Sequence, residues 1–152
     1  MLSLLGGVFL GWSLGANDAS NVFGSAVASR MLKFWTAAVL ASVFVLLGAL
    51  LQGQAGIETL KGLTRFNLEQ AVVSSVAAAT TVTIMTILGL PVSTSQAVIG
   101  AILGVGIVKG ISTVSGRTLV NILIAWLLTP AVAGFFATAL DFTIHLQYVP
   151  NS

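Results

Sequence analysis

The first polar cluster of the chain interrupts an N-terminal stretch that is otherwise largely apolar. Asn17, Asp18 and Asn21 stand together in GANDASN. The two asparagines are four residues apart and therefore share one face of a helix, with Asp18 beside them. Two amide oxygens and a carboxylate suit an alkali cation at a broken membrane helix. We predict a site for an alkali cation here, formed by Asn17, Asp18 and Asn21; the alternative is that Asp18 caps a half-helix and the asparagines bond a neighbour.

The second polar cluster is PVSTSQ, from Pro91 to Gln96. If a helix begins at Pro91 to Ser93, its first N–H groups lack intrahelical partners and point outward with the positive end of the helix dipole. The hydroxyls of Ser93, Thr94 and Ser95 lie at the same end. The pattern predicts an anion site that needs no cationic side chain. The alternative is that Ser93 only caps the helix and the other hydroxyls bond back to carbonyls.

The composition is that of a membrane protein. Of 152 residues, 57% are hydrophobic and 7% are charged, whereas a soluble domain carries about 25% charged residues. The net charge of +2 is too small to predict nucleic-acid binding, and the absence of cysteine excludes disulfides and thiolate metal sites. No nucleophile–base pair or zinc-ligand spacing is present, and the one histidine, His145, lies in the C-terminal tail. We therefore expect neither an enzyme nor a tightly bound cofactor.

The elements that must position both clusters are membrane segments, which need about 17 to 25 apolar residues each. We predict about five of them, at residues 2–29 and 34–51, in a run at 70–108 that GLPVS divides into two, and at 118–140 with a kink at Pro130. The polar residues 52–69 are expected to form a loop or an interfacial helix. Gly15 predicts a break in the first segment, and Gly89 with Pro91 predicts one before the fourth. The fold class is therefore all-α and polytopic, with two broken or half helices.

Two further patterns concern topology and the third segment. The loop charges are close to balanced, two against four, which with an odd number of spans is what a dual-topology protein shows. Threonines at positions 80, 81, 83 and 86 form a polar stripe before the second break. Such a stripe more often bonds its own helix backbone than a ligand.

Three stretches of the sequence resemble signatures of the inorganic phosphate transporter family, the PiT-type sodium- or proton-coupled carriers. They are GANDASNVFGSAVAS at residues 15–29, GALLQGQAGIETLKG at 48–62, and PVSTSQAVIGAILGVG at 91–106. The resemblance implies two inverted repeats with a shared site at the membrane midplane, and secondary active uptake of phosphate with a cation. It also implies a multi-pass protein of the cell membrane.

The resemblance also implies roles for individual residues. Asn17, Asp18 and Asn21 would be cation and substrate ligands. The oxyanion would be held by Ser93, Thr94, Ser95 and Gln96, where Gln96 stands at a position that is His in many members. Glu58 and Thr59 form the Glu-Thr pair of the middle signature and would belong to the transport cycle. Sodium ions or protons would be co-transported, and a sodium ion would bind at Asp18 and Asn21.

The main departure from the family is that each motif occurs once, whereas members usually carry both motifs twice. Residues 1–152 are therefore expected to form a single transmembrane repeat, half of a transporter. An odd number of spans lets a second copy, or a related half-transporter, insert in the inverted orientation. A chain cut from a longer protein is a further possibility.

Two other functions stay open at this point. One is a permease of the same architecture for sulfate or another tetrahedral oxyanion. The other is a non-transporting membrane subunit that regulates a full-length carrier. The substitution of Gln96 for histidine, and of Ala19-Ser20 for the commoner Val-Ala, bears on the choice of anion and of coupling ion.

Overall fold

The computed structural model describes residues 2–64 and 66–148, which form α-helices joined by short connections. The helices are α1 (Leu2–Ala28), α2 (Phe34–Leu63), α3 (Leu68–Ile87), α4 (Thr94–Lys109) and α5 (Gly116–Tyr148), with one 3-10 turn at Ile111–Thr113. The all-α class is confirmed. The chain divides into two compact units, the first ending at Val114 and the second beginning at Ser115.

Helix α1 is continuous, and the predicted break at Gly15 is wrong. A mid-helix glycine costs only about 1 kcal/mol relative to alanine. An interrupted backbone inside an apolar layer would leave N–H and C=O groups without partners, at several kcal/mol each. The helix ends at Ala28, and Arg30, two residues later, has a φ of 61° in the left-handed region. Asn17, Asp18 and Asn21 therefore lie on an intact helix.

Helix α2 is also longer than expected. It runs to Leu63, so most of residues 52–69, predicted to be a loop or an interfacial helix, continues the helix that begins at Phe34. The helix continues through these polar residues because a helical backbone satisfies its own hydrogen bonds, whatever the polarity of the side chains. Within the first unit α2 has few buried residues, Ala37 and Leu63 among them.

Helices α3 and α4 form an antiparallel hairpin, and the start of α3 lies beside the end of α4 at its base. At its base, Lys109 Nζ donates to Gln70 Oε1 at 2.8 Å, and Thr64 pairs with Val114 in an antiparallel bridge. The tip, residues 88–93, turns through Gly89, whose φ of +70° suits glycine. Helix α4 begins at Thr94, so the expectation that Pro91 occupies its first turn is wrong. Pro91 instead lies in the irregular tip, where its missing N–H leaves no hydrogen bond unmade.

Helix α1 packs along α3 in the parallel direction. Near one end of the pair, a side chain at Gly6 would lie 3.4 Å from the carbonyl oxygen of Val72, so the backbones approach closely there. Eleven residues further along α1, the side chain of Asn17 reaches Thr86. Small residues permit such close packing between membrane helices. The parallel register brings the tip of the hairpin to the middle of α1.

The second unit consists of α5 and the residues that lead into it. The helix continues through Pro130, and most of its large apolar side chains are exposed. Among the described residues, three helices are long and apolar enough to cross a membrane: Phe34–Leu63, Leu68–Ile87 and Gly116–Ile144. The described residues form five α-helices, the number of membrane segments predicted. Of these, α1 and the shorter α4 do not meet the criterion of length and composition for crossing a membrane.

Candidate functional site

The two polar clusters meet in the folded chain. Thr94 Oγ1 donates a hydrogen bond of 3.2 Å to Asp18 Oδ2. Thr94 is the first residue of α4 and is buried, whereas Asp18 is exposed on the side of α1. Asp18 lies about 24 Å along α1 from Leu2 and about 15 Å from Ala28, at 1.5 Å per residue. The contact therefore brings a helix N-terminus to a carboxylate far from either end of α1.

A second network joins α1 to the end of α3. Asn17 Nδ2 donates to Thr86 Oγ1 at 3.1 Å, and Thr86 Oγ1 in turn donates to the carbonyl of Val82. Asn21 Nδ2 donates to Asn17 Oδ1 at 3.0 Å, which confirms that the two asparagines share one helix face. Asn17 is 3% exposed, while Asn21 is exposed. Asn17 thus serves as an interhelical link, and Asn21 keeps its side-chain oxygen on the accessible side.

The N-terminus of α4 has the form that the second motif predicts. Ser93 is the N-cap, and its Oγ accepts a 3.3 Å hydrogen bond from the backbone N–H of Gln96. This contact confirms the capping role that was one of the two interpretations of Ser93. The side chains of Ser93, Ser95 and Gln96 are exposed around this end. The helix therefore presents its N-terminal N–H groups and hydroxyls beside Asp18.

Glu58 and Thr59 lie apart from this cluster. Both are exposed on α2, within two turns of Leu63, and so lie toward the base of the hairpin. Glu58 Oε1 accepts a long 3.5 Å contact from Gln54 Nε2, and Thr59 Oγ1 donates to the carbonyl of Ala55. Within the described ranges no hydrogen bond joins either residue to Asp18 or Thr94. A part in the transport cycle stays a prediction for this pair.

The threonine stripe of α3 divides into two kinds of residue. Thr80, Thr81 and Thr86 donate to backbone carbonyls one turn earlier, as expected for a membrane-helix hydroxyl. Thr83 is different, because its Oγ1 is buried and has no hydrogen-bond partner. Ser13 on α1, which lies outside both motifs, is 1% exposed and donates to the carbonyl of Leu10 at 2.9 Å.

Oxygen atoms that could bind a cation lie beside hydrogen-bond donors that could bind an anion. Asp18 retains Oδ1, and Asn21 retains its carbonyl oxygen, beyond the bonds already described. One charged oxygen and neutral oxygens around it can hold a small monovalent cation, whereas the adjoining helix N-terminus favours an anion. No group of three or more His, Cys, Asp and Glu side chains that could hold a metal ion occurs in the described part of the chain.

Helices of this apolar character, with a polar site between them, define a membrane protein, and comparison with known families identifies which one. Residues 14–150 match the phosphate transporter family. The chain belongs to that family, which confirms the resemblance seen in its motifs. No solved structure matches the chain at a significant level.

Individual relatives agree with this assignment. A protein of Methanocaldococcus jannaschii is 37% identical over 130 residues, covering 86% of this chain and 42% of the relative. One of Chlamydia trachomatis is 34% identical and one of Pyrococcus furiosus is 34% identical, covering 88% and 90% of this chain. All three names contain the words phosphate permease. The chain spans 34% to 42% of the length of these relatives.

Proposed function

We propose that the chain forms half of a secondary active transporter that moves inorganic phosphate across the cell membrane together with a cation, sodium or a proton. The observation that carries this proposal is the 3.2 Å bond from Thr94 to Asp18. It places an anion-favouring helix end against the carboxylate of a chain that belongs to the phosphate transporter family. The protein would pass through the membrane several times and would have no enzymatic activity.

The proposed transport step depends on charge neutralisation. A cation at Asp18 and Asn21 cancels the carboxylate, and phosphate then binds at the N-terminus of α4 through Ser93, Thr94, Ser95 and Gln96. A charge in the bilayer interior is costly unless it is paired. Loading cation and phosphate together therefore lowers the electrostatic cost of exposing the site to the other side.

The exposure of the site supports a partner in the inverted orientation. Asp18, Asn21, Ser93 and Ser95 are exposed on the first unit, whose surface is otherwise rich in large apolar side chains. Ionisable groups within membranes face protein or a water-filled cavity rather than lipid. A second copy of the chain, or a related half-transporter, would cover these residues and supply the other half of the site.

The deciding experiment is uptake of labelled phosphate into liposomes that contain only this chain, with sodium inside and outside varied independently. We expect uptake to rise with an inward sodium or proton gradient and cross-linking to trap a pair of chains. Sulfate is the informative competitor, because it has no proton to donate to Asp18. Equal competition by sulfate would indicate a general oxyanion permease, and absence of uptake despite cross-linked pairs of chains would indicate a non-transporting subunit.

A further inference from the structure

The α3–α4 hairpin carries a surface groove that the proposed function does not use. At the base of the hairpin it is lined by Glu69 and Gln70, which lie in the first turn of α3. From there it runs along both helices, and its remaining lining is apolar: Val73, Gly104, Val105 and Val108. At 1.5 Å per residue, Val73 lies about 6 Å along α3 from Glu69. We call this surface the hairpin groove.

The apolar part of the hairpin groove is open. A side chain added at Gly104 would have no atom within 4 Å, while Val73 is 57% exposed and Val108 is 89% exposed. Helix α3 is long and apolar enough to cross a membrane, and its first turn lies at the polar end of the groove. The groove therefore changes from polar to aliphatic in the direction in which a bilayer changes from headgroups to acyl chains.

Lys109 brings a positive charge to the polar end of the groove. Its Nζ donates to Gln70 Oε1 at 2.8 Å, and the same oxygen accepts from the backbone N–H of Asn67 at 3.0 Å. The capping box of α3 thus fixes Gln70 as an acceptor, which holds the ammonium beside the groove. An ammonium group has three protons, so the bond to Gln70 leaves two for the acceptor oxygens of a ligand.

Glu69 adds a negative charge at the same end. It lines the groove next to Gln70, and within the described ranges no hydrogen bond or ion pair engages its carboxylate. An ionised carboxylate only accepts hydrogen bonds, so it requires a donor from its ligand. One positive and one negative group therefore stand at the head of an apolar groove. The complementary ligand carries a phosphate, a cation with N–H donors, and hydrocarbon chains.

We propose that the hairpin groove binds a phospholipid whose headgroup has a primary ammonium, phosphatidylethanolamine. Its phosphate accepts from Lys109, its ammonium donates to Glu69, and an acyl chain lies over Gly104. Phosphatidylcholine has the phosphate but no N–H donor, and phosphatidylglycerol has no positive charge to pair with Glu69. Charge-assisted hydrogen bonds therefore select the headgroup. The site is distinct from the one at Asp18, and its occupancy does not depend on phosphate transport.

The test is titration of the purified chain in detergent with one phospholipid at a time, with bound lipids counted by native mass spectrometry. We expect the first phosphatidylethanolamine to bind at least tenfold more tightly than phosphatidylcholine or phosphatidylglycerol. Glu69→Gln should remove the preference over phosphatidylcholine, and Lys109→Gln should weaken binding of both lipids severalfold. Asp141→Asn and Lys33→Gln are matched controls, because they remove exposed charges outside the groove.

A second pair of variants tests the apolar part of the groove. Gly104→Leu fills the open space and should weaken phosphatidylethanolamine binding at least tenfold. Gly100→Leu is the control, because Gly100 also meets no atom within 4 Å but lies one turn outside the groove. Phosphatidylethanolamine should raise the melting temperature of the unmodified chain and of Gly100→Leu, but much less that of Gly104→Leu.

Two results would overturn the lipid site. One is equal binding of phosphatidylethanolamine and phosphatidylcholine by the unmodified chain, which would mean that the headgroup is not recognised. The other is an unchanged preference in Glu69→Gln, which decides the matter even if Gly104→Leu fails to fold. Loss of phosphate uptake in the liposome experiment would leave the lipid site standing, since the binding measurements need no transport.

Discussion

Thr94 on α4 donates a hydrogen bond to Asp18 on α1, across 76 positions of sequence. The contact links the two polar motifs, GANDASN and PVSTSQ. It also places a helix N-terminus against a carboxylate at the middle of a long helix.

The charge of Asp18 is the first feature to test. Asp18→Asn keeps the size of the side chain and an oxygen that can accept from Thr94, but removes the negative charge that holds a cation. We expect cation-driven phosphate uptake to fall at least a hundredfold while the amount of inserted protein stays unchanged. Asp141→Asn is the matched control, because Asp141 is exposed on α5 and should leave uptake unaltered. Uptake at the unmodified rate in Asp18→Asn would contradict the assigned role.

The hydroxyl of Thr94 has a separate role from its methyl group. Thr94→Val preserves the shape of a buried side chain and removes the donor to Asp18. A hydrogen bond to a charged group is worth about 1.5–3 kcal/mol, so we expect phosphate uptake to decrease by at least tenfold. Thr94→Ser should restore most of it. Thr129→Val, which removes an exposed hydroxyl bonded to its own helix, is the control; equal effects of both valine variants would argue against the specific contact.

The interhelical bond of Asn17 is expected to contribute to stability as well as to the site. Asn17→Ala removes the link to Thr86 and should lower the free energy of unfolding by about 1 kcal/mol, the usual size of such bonds between membrane helices. Asn21→Ala should have less than half of that effect, because Asn21 is exposed and bonds within α1. Unfolding in mixed micelles with increasing SDS measures both. A larger loss in Asn21→Ala would show that the link to α3 does not stabilise the pair.

Close packing at the base of the hairpin provides a test of the fold. A side chain added at Gly106 would lie 2.6 Å from Cγ2 of Val114. Gly106→Ala should therefore destabilise the chain by about 1–3 kcal/mol through overpacking, and Val114→Ala in the same chain should recover part of the loss. Gly104→Ala meets open space and should be neutral or stabilising, since alanine favours the helix. The same unfolding measurement applies, and additive effects of Gly106→Ala and Val114→Ala would exclude the predicted clash.

The membrane class, the family and the residues of both clusters could be predicted from the sequence alone, because composition and short motifs do not depend on tertiary contacts. The capping role of Ser93 and the shared face of Asn17 and Asn21 were predictable for the same reason, since each depends on residues within one helical turn. The ends of the helices were less predictable. Gly15 weakens a helix in isolation, but the need to satisfy the backbone in an apolar layer keeps α1 continuous.

Only the tertiary structure decided which distant residues meet. The register between α1 and α3 arises from side-chain packing over their whole length, so no short stretch of sequence specifies that Asn17 reaches Thr86 or that Asp18 reaches Thr94. The same holds for the threonine stripe. Thr81 and Thr83 are the same residue type two positions apart on one helix, yet Thr81 bonds its own backbone, whereas Thr83 Oγ1 is buried without a hydrogen-bond partner. That difference depends on the neighbouring helix, because burial is a property of the packed pair.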